Sequence, residues 1–156
     1  MRSLPVLYED NHLLVVNKPA GLATMGATSG TTTAVTLAAA YLKQRYQKAG
    51  NVFVGVVSRL DRLVSGVLIL ARTSKAASRL SEQFRDQTTE KRYLAWVEGK
   101  FPVAKNWVEL TNWVIKDEAG QRMRVTAEGA VGSQFARLRV RTLATQPTRT
   151  ELAIEL

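Results

Sequence analysis

Val56-Val57-Ser58-Arg59-Leu60-Asp61-Arg62-Leu63-Val64-Ser65-Gly66-Val67-Leu68-Ile69-Leu70-Ala71-Arg72 reads as an apolar strand, a charged turn and a second apolar strand. Between Asn11 and Ser81, Asp61 is the only Asp or Glu, while the same span carries Lys18, Lys43, Arg45, Lys48, Arg59, Arg62, Arg72, Lys75 and Arg79. Positive neighbours favour the charged form of a carboxylate. Asp61 is thereby available as a nucleophile or base. Arginines flanking one acid, beside a glycine free to take a tight turn, suit a site that grips an anionic substrate and does chemistry on it. A surface Arg–Asp pair capping a turn gives the same pattern, because structural ion pairs also perturb acids.

Three segments in order carry a resemblance. Arg59-Leu60-Asp61, followed by Ser65-Gly66 and an apolar strand, resembles the H-R-L-D-x-x-T-S-G-L-L-L motif of the RluA family of pseudouridine synthases. Leu7 to Gly21, ending Asn17-Lys18-Pro19-Ala20-Gly21, resembles the family's opening strand and K-P-x-G turn. Lys91-Arg92-Tyr93-Leu94-Ala95-Trp96-Val97-Glu98-Gly99 resembles its K-x-Y-x-A-x-V-x-G strand. Ser58 and Val64 stand where the family usually has His and Thr.

The resemblance implies an α+β fold of the pseudouridine synthase catalytic-domain type: a largely antiparallel mixed β-sheet with helices packed on it. It implies that Asp61 attacks the sugar of a uridine or takes a sugar proton, after which the glycosidic bond breaks, the uracil turns and C5 rejoins C1′. Arg59 would hold Asp61 or the vacated stack and backbone. Tyr93 would pack on the uracil and receive the C5 proton, a task that needs hydrogen-bond reach. Arg62, Lys18 and Ser65 are the substrate-binding candidates. Such chemistry requires no cofactor and no metal. An enzyme reaching C1′ and C5 must take the nucleotide out of its stack, at a cost of a few kcal/mol.

Composition agrees with a nucleic-acid partner. The 156 residues carry 22 Lys and Arg against 13 Asp and Glu, a formal charge of +9. Neutralising phosphates releases counterions, so a basic balance is the footprint of a polyanion binder. RNA, ribosomal or transfer, is the expected partner. A membrane surface is disfavoured, because the basic residues are dispersed and not clustered. The length fits one domain over residues 1–156. No apolar run approaches the roughly 20 residues that span a bilayer. The start Met1-Arg2-Ser3-Leu4-Pro5 has no secretory core, so a cytoplasmic location is expected. With no Cys and one His, His12, disulfides and thiolate or histidine-cluster metal sites are not expected.

Leu13 to Asn17 reads as a short buried strand ended by the Lys18-Pro19-Ala20-Gly21 turn. Lys18 either meets a phosphate or closes that turn. Ala23 to Thr33 is Gly/Ser/Thr-rich and reads as a mobile loop, without the ending of a phosphate-binding P-loop. Apolar positions predict a helix from about Thr33 to Gln47, on which Tyr41 and Tyr46 either stack on bases or pack. Val52 to Val57 and Val67 to Ala71 predict strands. Thr73 or Ser74 caps a second helix through Ala76, Ala77, Leu80 and Phe84. Its flanking Arg72, Lys75, Arg79 and Arg85 either line RNA or form a solvated face.

In the strand of Tyr93, alternation sets Tyr93, Ala95 and Val97 against Leu94 and Trp96. The remainder predicts strands over Trp107 to Ile115, Met123 to Thr126, Gln134 to Leu143 and Thr148 to Leu156, with Arg137, Arg139 and Arg141 on one face. In the resembled family a T-G-R-x-H-Q-I-R segment follows the last strand, and its Arg pairs with the catalytic Asp. On that comparison the chain is an incomplete catalytic domain, weakly active or inactive, with an exposed sheet edge at Thr148 to Leu156 through which it associates. A basic RNA-binding module with lost turnover is the competing reading.

Overall fold

A computed structural model describes residues 4–26, 30–102 and 106–156. Met1-Arg2-Ser3, and Ala27-Thr28-Ser29 of the expected loop, lie outside the described residues. The chain divides into two compact units, Met1–Thr89 and Glu90–Leu156.

The first unit holds β1 (Val6–Glu9), β2 (Leu13–Lys18), α1 (Ala34–Arg45), β3 (Gly55–Val56), β4 (Gly66–Ala71) and α2 (Ser74–Arg85). Its strands pair antiparallel in the order β1-β2-β4-β3. Asp10 makes the first reversal: its carboxylate accepts the N–H groups of His12 at 2.7 Å and Leu13 at 2.6 Å. That Val6–Glu9 forms a strand of its own was not foreseen. Period-two alternation turns Leu14, Val16 and Lys18 to the interior, opposite Leu70, Leu68 and Gly66 respectively. Ala34, Ala38 and Leu42, four residues apart on α1, complete this core. Fully burying a leucine or valine side chain stabilises by roughly 1.5–3 kcal/mol, so Leu14, Val16, Leu68 and Leu70 anchor the sheet.

Both helices start as their sequences suggest. Thr33 and Thr36 cap α1 reciprocally, Thr36 N–H to the Thr33 hydroxyl at 3.2 Å and Thr33 N–H to the Thr36 hydroxyl at 2.8 Å. Thr73 caps α2 by accepting the Ala76 N–H at 3.1 Å. The strand expected over Val52 to Val57 is shorter: only Gly55 and Val56 pair with β4. Strand-forming side chains realise their preference only where a neighbouring strand offers a ladder. Gly55 lies where α2 presses close, since a Cβ there would meet the Ala77 Cβ at 3.0 Å.

One polar cluster ties this unit together. Glu9 accepts the hydroxyls of Tyr41 at 2.7 Å and of Tyr46, and pairs with Arg72 at 3.1 Å. Arg72 also donates to the Asp10 carbonyl and lies over the Tyr46 ring, 4.4 Å from its centroid. Burial pushes the Glu9 carboxyl up, but the hydrogen bonds from Tyr46 and Tyr41 and the charges of Arg72 and Arg45 outweigh it, so its pKa falls below the usual 4.5. Tyr41 and Tyr46 thus serve Glu9. Arg72, expected either to line RNA or to belong to a solvated face, is instead taken up in this cluster, its side chain only 9% exposed. Lys75, Arg79 and Arg85 are exposed.

The second unit is a five-stranded antiparallel sheet of β5 (Arg92–Glu98), β6 (Val108–Asp117), β7 (Arg122–Thr126), β8 (Gln134–Thr145) and β9 (Arg149–Glu155), in the order β5-β9-β8-β6-β7. Val140, Thr150 and Leu152 are buried on one face, while Arg137, Arg139 and Arg141 are exposed on the other, as alternation predicts. The expected open edge at Thr148 to Leu156 is corrected: β9 pairs with β5 on one side and β8 on the other, so both rows of its backbone groups are bonded. The edges of this sheet are β5 and β7. Glu155 lies between Arg92, at 3.1 Å, and Arg139, which also donates to it, pinning three strands in register. No helix among the described residues is long and apolar enough to cross a membrane.

Candidate active site

Asp61 lies in the loop between β3 and β4, and the residues on either side of it are anchored to one segment, Gly21 to Thr24. Before it, the Thr24 hydroxyl donates to the Leu60 carbonyl at 2.7 Å and accepts the Leu60 N–H at 3.2 Å. After it, the Gly21 N–H donates to the Arg62 carbonyl at 2.7 Å. Gly21 can do so because its φ of 81° lies in the left-handed region, where side chains are strained. The bracket is itself fixed to a helix: the Ala34 and Val35 N–H groups of the first turn of α1 donate to the carbonyls of Ala23 and Thr24 at 2.9 and 3.1 Å. Two of the N–H groups a helix start leaves without intrahelical partners are thus satisfied by the segment that holds Asp61.

Lys18 lies under this bracket. Continuing the inward face of β2, it is fully buried, and its ammonium donates to the carbonyls of Leu22 at 2.7 Å and Pro19 at 3.2 Å. Burial pushes the ammonium below the usual 10.5, and the Asp61 charge opposes that shift. Of the two roles expected for Lys18, meeting a phosphate or closing the turn, the bonds present are those of the turn. The Lys18 charge is felt by Asp61 through the protein.

The Asp61 carboxylate is exposed, and no ion pair within 4.0 Å engages it among the described residues. Arg59, Arg62 and Ser65 are exposed around it. Arg62 makes one long contact, Nε to the Gly21 carbonyl at 3.4 Å. The arrangement presents one carboxylate and two guanidinium groups from a backbone hydrogen-bonded on both sides of Asp61, which suits positioning against a phosphodiester chain.

Tyr93 belongs to the second unit. Half-buried in β5, it pairs with Ile154 and shares the face of Ala95 and Leu152. It borders a groove of about 380 Å³ whose lining includes Leu94, Trp107, Arg141 and Ala153. The structure therefore brings Asp61, Arg59, Arg62 and Lys18 onto one loop and its support, while Tyr93 stands on the other unit.

Sequence reasoning missed Gly21 and Thr24 as partners of the Asp61 loop. Thr24 sits in a run whose Gly/Ser/Thr content reads as loop, and a hydroxyl bonded across 36 residues leaves no local signal. No group of three or more His, Asp or Glu side chains suited to a metal ion occurs among the described residues.

Residues 12–156 match the family model described as RNA pseudouridylate synthase. Ribosomal large subunit pseudouridine synthase C of Vibrio vulnificus is 36% identical over 125 residues, 80% of this chain and 37% of that protein. The Escherichia coli protein of the same name is 37% identical over 127 residues, with the same coverage. The Buchnera aphidicola (Acyrthosiphon pisum) counterpart is 41% identical over 97 residues, 62% of this chain and 29% of its own. This chain thus spans between 29% and 37% of the length of these relatives. Human RNA Pseudouridylate Synthase Domain Containing 4 and Domain Containing 1 share the fold, with TM-scores of 0.76 and 0.70 at 19% identity, over 97% and 98% of this chain and 58% and 59% of theirs. With the motif order, the bracketed Asp61 loop and a match that runs from residue 12 to residue 156, the chain belongs to the RNA pseudouridylate synthase family.

Proposed function

We propose that this chain carries the Asp61 half-site and the Tyr93 strand of an enzyme that isomerises uridines of ribosomal RNA to pseudouridine. The observation that carries the reading is the anchoring of Leu60 and Arg62, on either side of Asp61, by Thr24 and Gly21 within a family-matched segment. The relatives' names, all of the large ribosomal subunit, support ribosomal over transfer RNA. The formal charge of +9 supports a polyanionic partner.

In this account Asp61 opens the C1′–N1 bond, by attack at C1′ or by taking a sugar proton. The released uracil turns in the site and C5 bonds to C1′ as the Asp61–C1′ ester bond breaks or, on the other route, as the sugar proton returns from Asp61. The C5 proton leaves to Tyr93 or to water and N1 takes up one proton from solvent, restoring the C5–C6 double bond with no net change in protons. Uracil is both leaving group and nucleophile, so atoms balance without a second substrate. Arg59 and Arg62 hold the RNA backbone as the uridine leaves its stack, and Lys18 offsets the Asp61 charge from beneath.

Incubating unmodified ribosomal RNA with the longest natural form of the protein and mapping new pseudouridines tests the assignment. Modification confined to one or a few uridines is expected. RNA binding without any new pseudouridine favours a binding module.

A further inference from the structure

All three tryptophans of the chain, Trp96, Trp107 and Trp113, lie on one face of the second sheet. Directly paired residues share a face. Leu94, Ala153 and Arg141 form one row across β5, β9 and β8, and Arg92, Glu155 and Arg139 form another. Tyr93, Ile154 and Val140 make the row between, whose side chains take the opposite face, where Val140 is buried. Further along, Trp113 pairs with Phe135, their rings 5.8 Å apart and edge to face. Guanidinium groups lie over the indoles: Arg139 and Arg141 at 5.8 and 5.2 Å from the centre of Trp107, and Arg149 at 4.2 Å from that of Trp96. The strands bring seven arginines to this face against five acids. Two of those acids, Glu155 and Asp117, are engaged by Arg92, Arg139 and Arg122. Arg124, Arg137, Arg141 and Arg149 have no acid within 4.0 Å among the described residues. Leu94 is 71% exposed and Phe135 58%. The row of Leu94, Ala153 and Arg141, with Trp107, lines the groove of about 380 Å³, a size that admits a small organic group.

Resting on the ribosomal RNA reading above, we propose that this face is a separate binding site for an unpaired RNA segment. One base stacks on Trp107 in the groove, and the backbone runs along Arg141 and Arg92. Rings interleaved with guanidinium groups on a sheet suit single strands, because every base has a π-face and every linkage a charge. Bases inside a duplex keep their faces stacked on one another and do not present them. The site holds no reacting group. It contributes affinity and choice of substrate, favouring RNA that offers an unpaired stretch.

The probe is an unpaired oligoadenylate, which contains no uridine, bound to the longest natural form of the protein. Ultraviolet cross-linking with peptide mapping should place adenines on Trp107, and a duplex of the same length should leave no cross-link there. Trp107→Ala should weaken oligoadenylate binding about tenfold, the scale of one base stacked on an aromatic ring, while Trp107→Phe should stay within about threefold. Arg141→Gln changes an exposed side chain, so it tests the site even where Trp107→Ala fails to fold. It should lower the slope of log affinity against log salt by about one. Cross-links confined to residues off this face overturn the site, as does an Arg141→Gln protein with unchanged affinity and salt slope. Failure of the isomerase reading is distinct: oligoadenylate would then cross-link to Trp107 while ribosomal RNA gains no pseudouridine. New pseudouridine in ribosomal RNA without that cross-link leaves the isomerase and overturns the site.

Discussion

Thr24 and Leu60 are joined twice, the threonine hydroxyl donating to the leucine carbonyl at 2.7 Å and accepting its N–H at 3.2 Å. A single side-chain oxygen, 4% exposed as a residue, thereby satisfies both backbone groups of the residue preceding Asp61.

Thr24→Val preserves the shape and removes both bonds. Leaving the part-buried backbone groups of Leu60 unsatisfied costs at most about 1–3 kcal/mol, measurable as a lower urea midpoint. Turnover should fall further than stability explains, because small misplacements of a reacting group cost up to roughly a hundredfold. Thr24→Ser should restore both. A Thr24→Val protein with unchanged turnover would remove the hydroxyl from the positioning of Asp61.

The Glu9 cluster predicts an acid-sensitive first unit. Glu9 holds its proton less tightly folded than unfolded, so its contribution is complete above the ordinary pKa of 4.5 and is lost as pH falls through the lower folded value. Glu9→Gln should cost about 1.5–3 kcal/mol at neutral pH, the range for hydrogen bonds to charged groups. Urea titrations of both proteins should differ most at pH 7 and converge below pH ~3. A constant difference across that range would contradict the assignment.

Lys18 predicts a slope of the same sign, at alkaline pH. Its folded pKa lies below 10.5, so between the two values the unfolded chain binds more protons and stability rises with pH. Lys18→Met should abolish that rise. It should also lower turnover, since Asp61 loses the charge beneath it and the Leu22 carbonyl loses its donor.

Much of this was legible beforehand. The strand from Leu13 to Asn17, the helix from about Thr33, the cap at Thr73, the α2 stripe and the Arg137, Arg139, Arg141 face all follow from local sequence signals, which short-range sterics enforce. What escaped depends on partners distant in sequence. Arg72 looked like a free charge because its acid, Glu9, lies 63 residues away. For Lys18 the phosphate and turn readings stood side by side in the sequence, with spacing favouring the turn, and its bonds to the Pro19 and Leu22 carbonyls are the contacts the structure adds. The last strand looked like an edge because sequence order says nothing of β5 returning beside it. Asp61 stood out because it is alone among bases, a property that composition does carry.

Tyr93→Phe separates chemistry from packing. The ring stays between its strand neighbours, so RNA affinity and unfolding midpoint should be unchanged. Release of the C5 proton should slow by about a hundredfold or more if the hydroxyl receives it, the span of general-base catalysis. Equal proton release would assign that task to water.

The central claim is that Asp61 performs the isomerisation. Its most direct test is single-turnover release of tritium from ribosomal RNA labelled at uridine C5, comparing unaltered protein with Asp61→Asn in the longest natural form, with RNA affinity measured in parallel. The account predicts release by the unaltered protein, none above background with Asp61→Asn, and affinities within about threefold of each other, since an exposed carboxylate contributes little to gripping a polyanion. Tritium release that survives Asp61→Asn would contradict it.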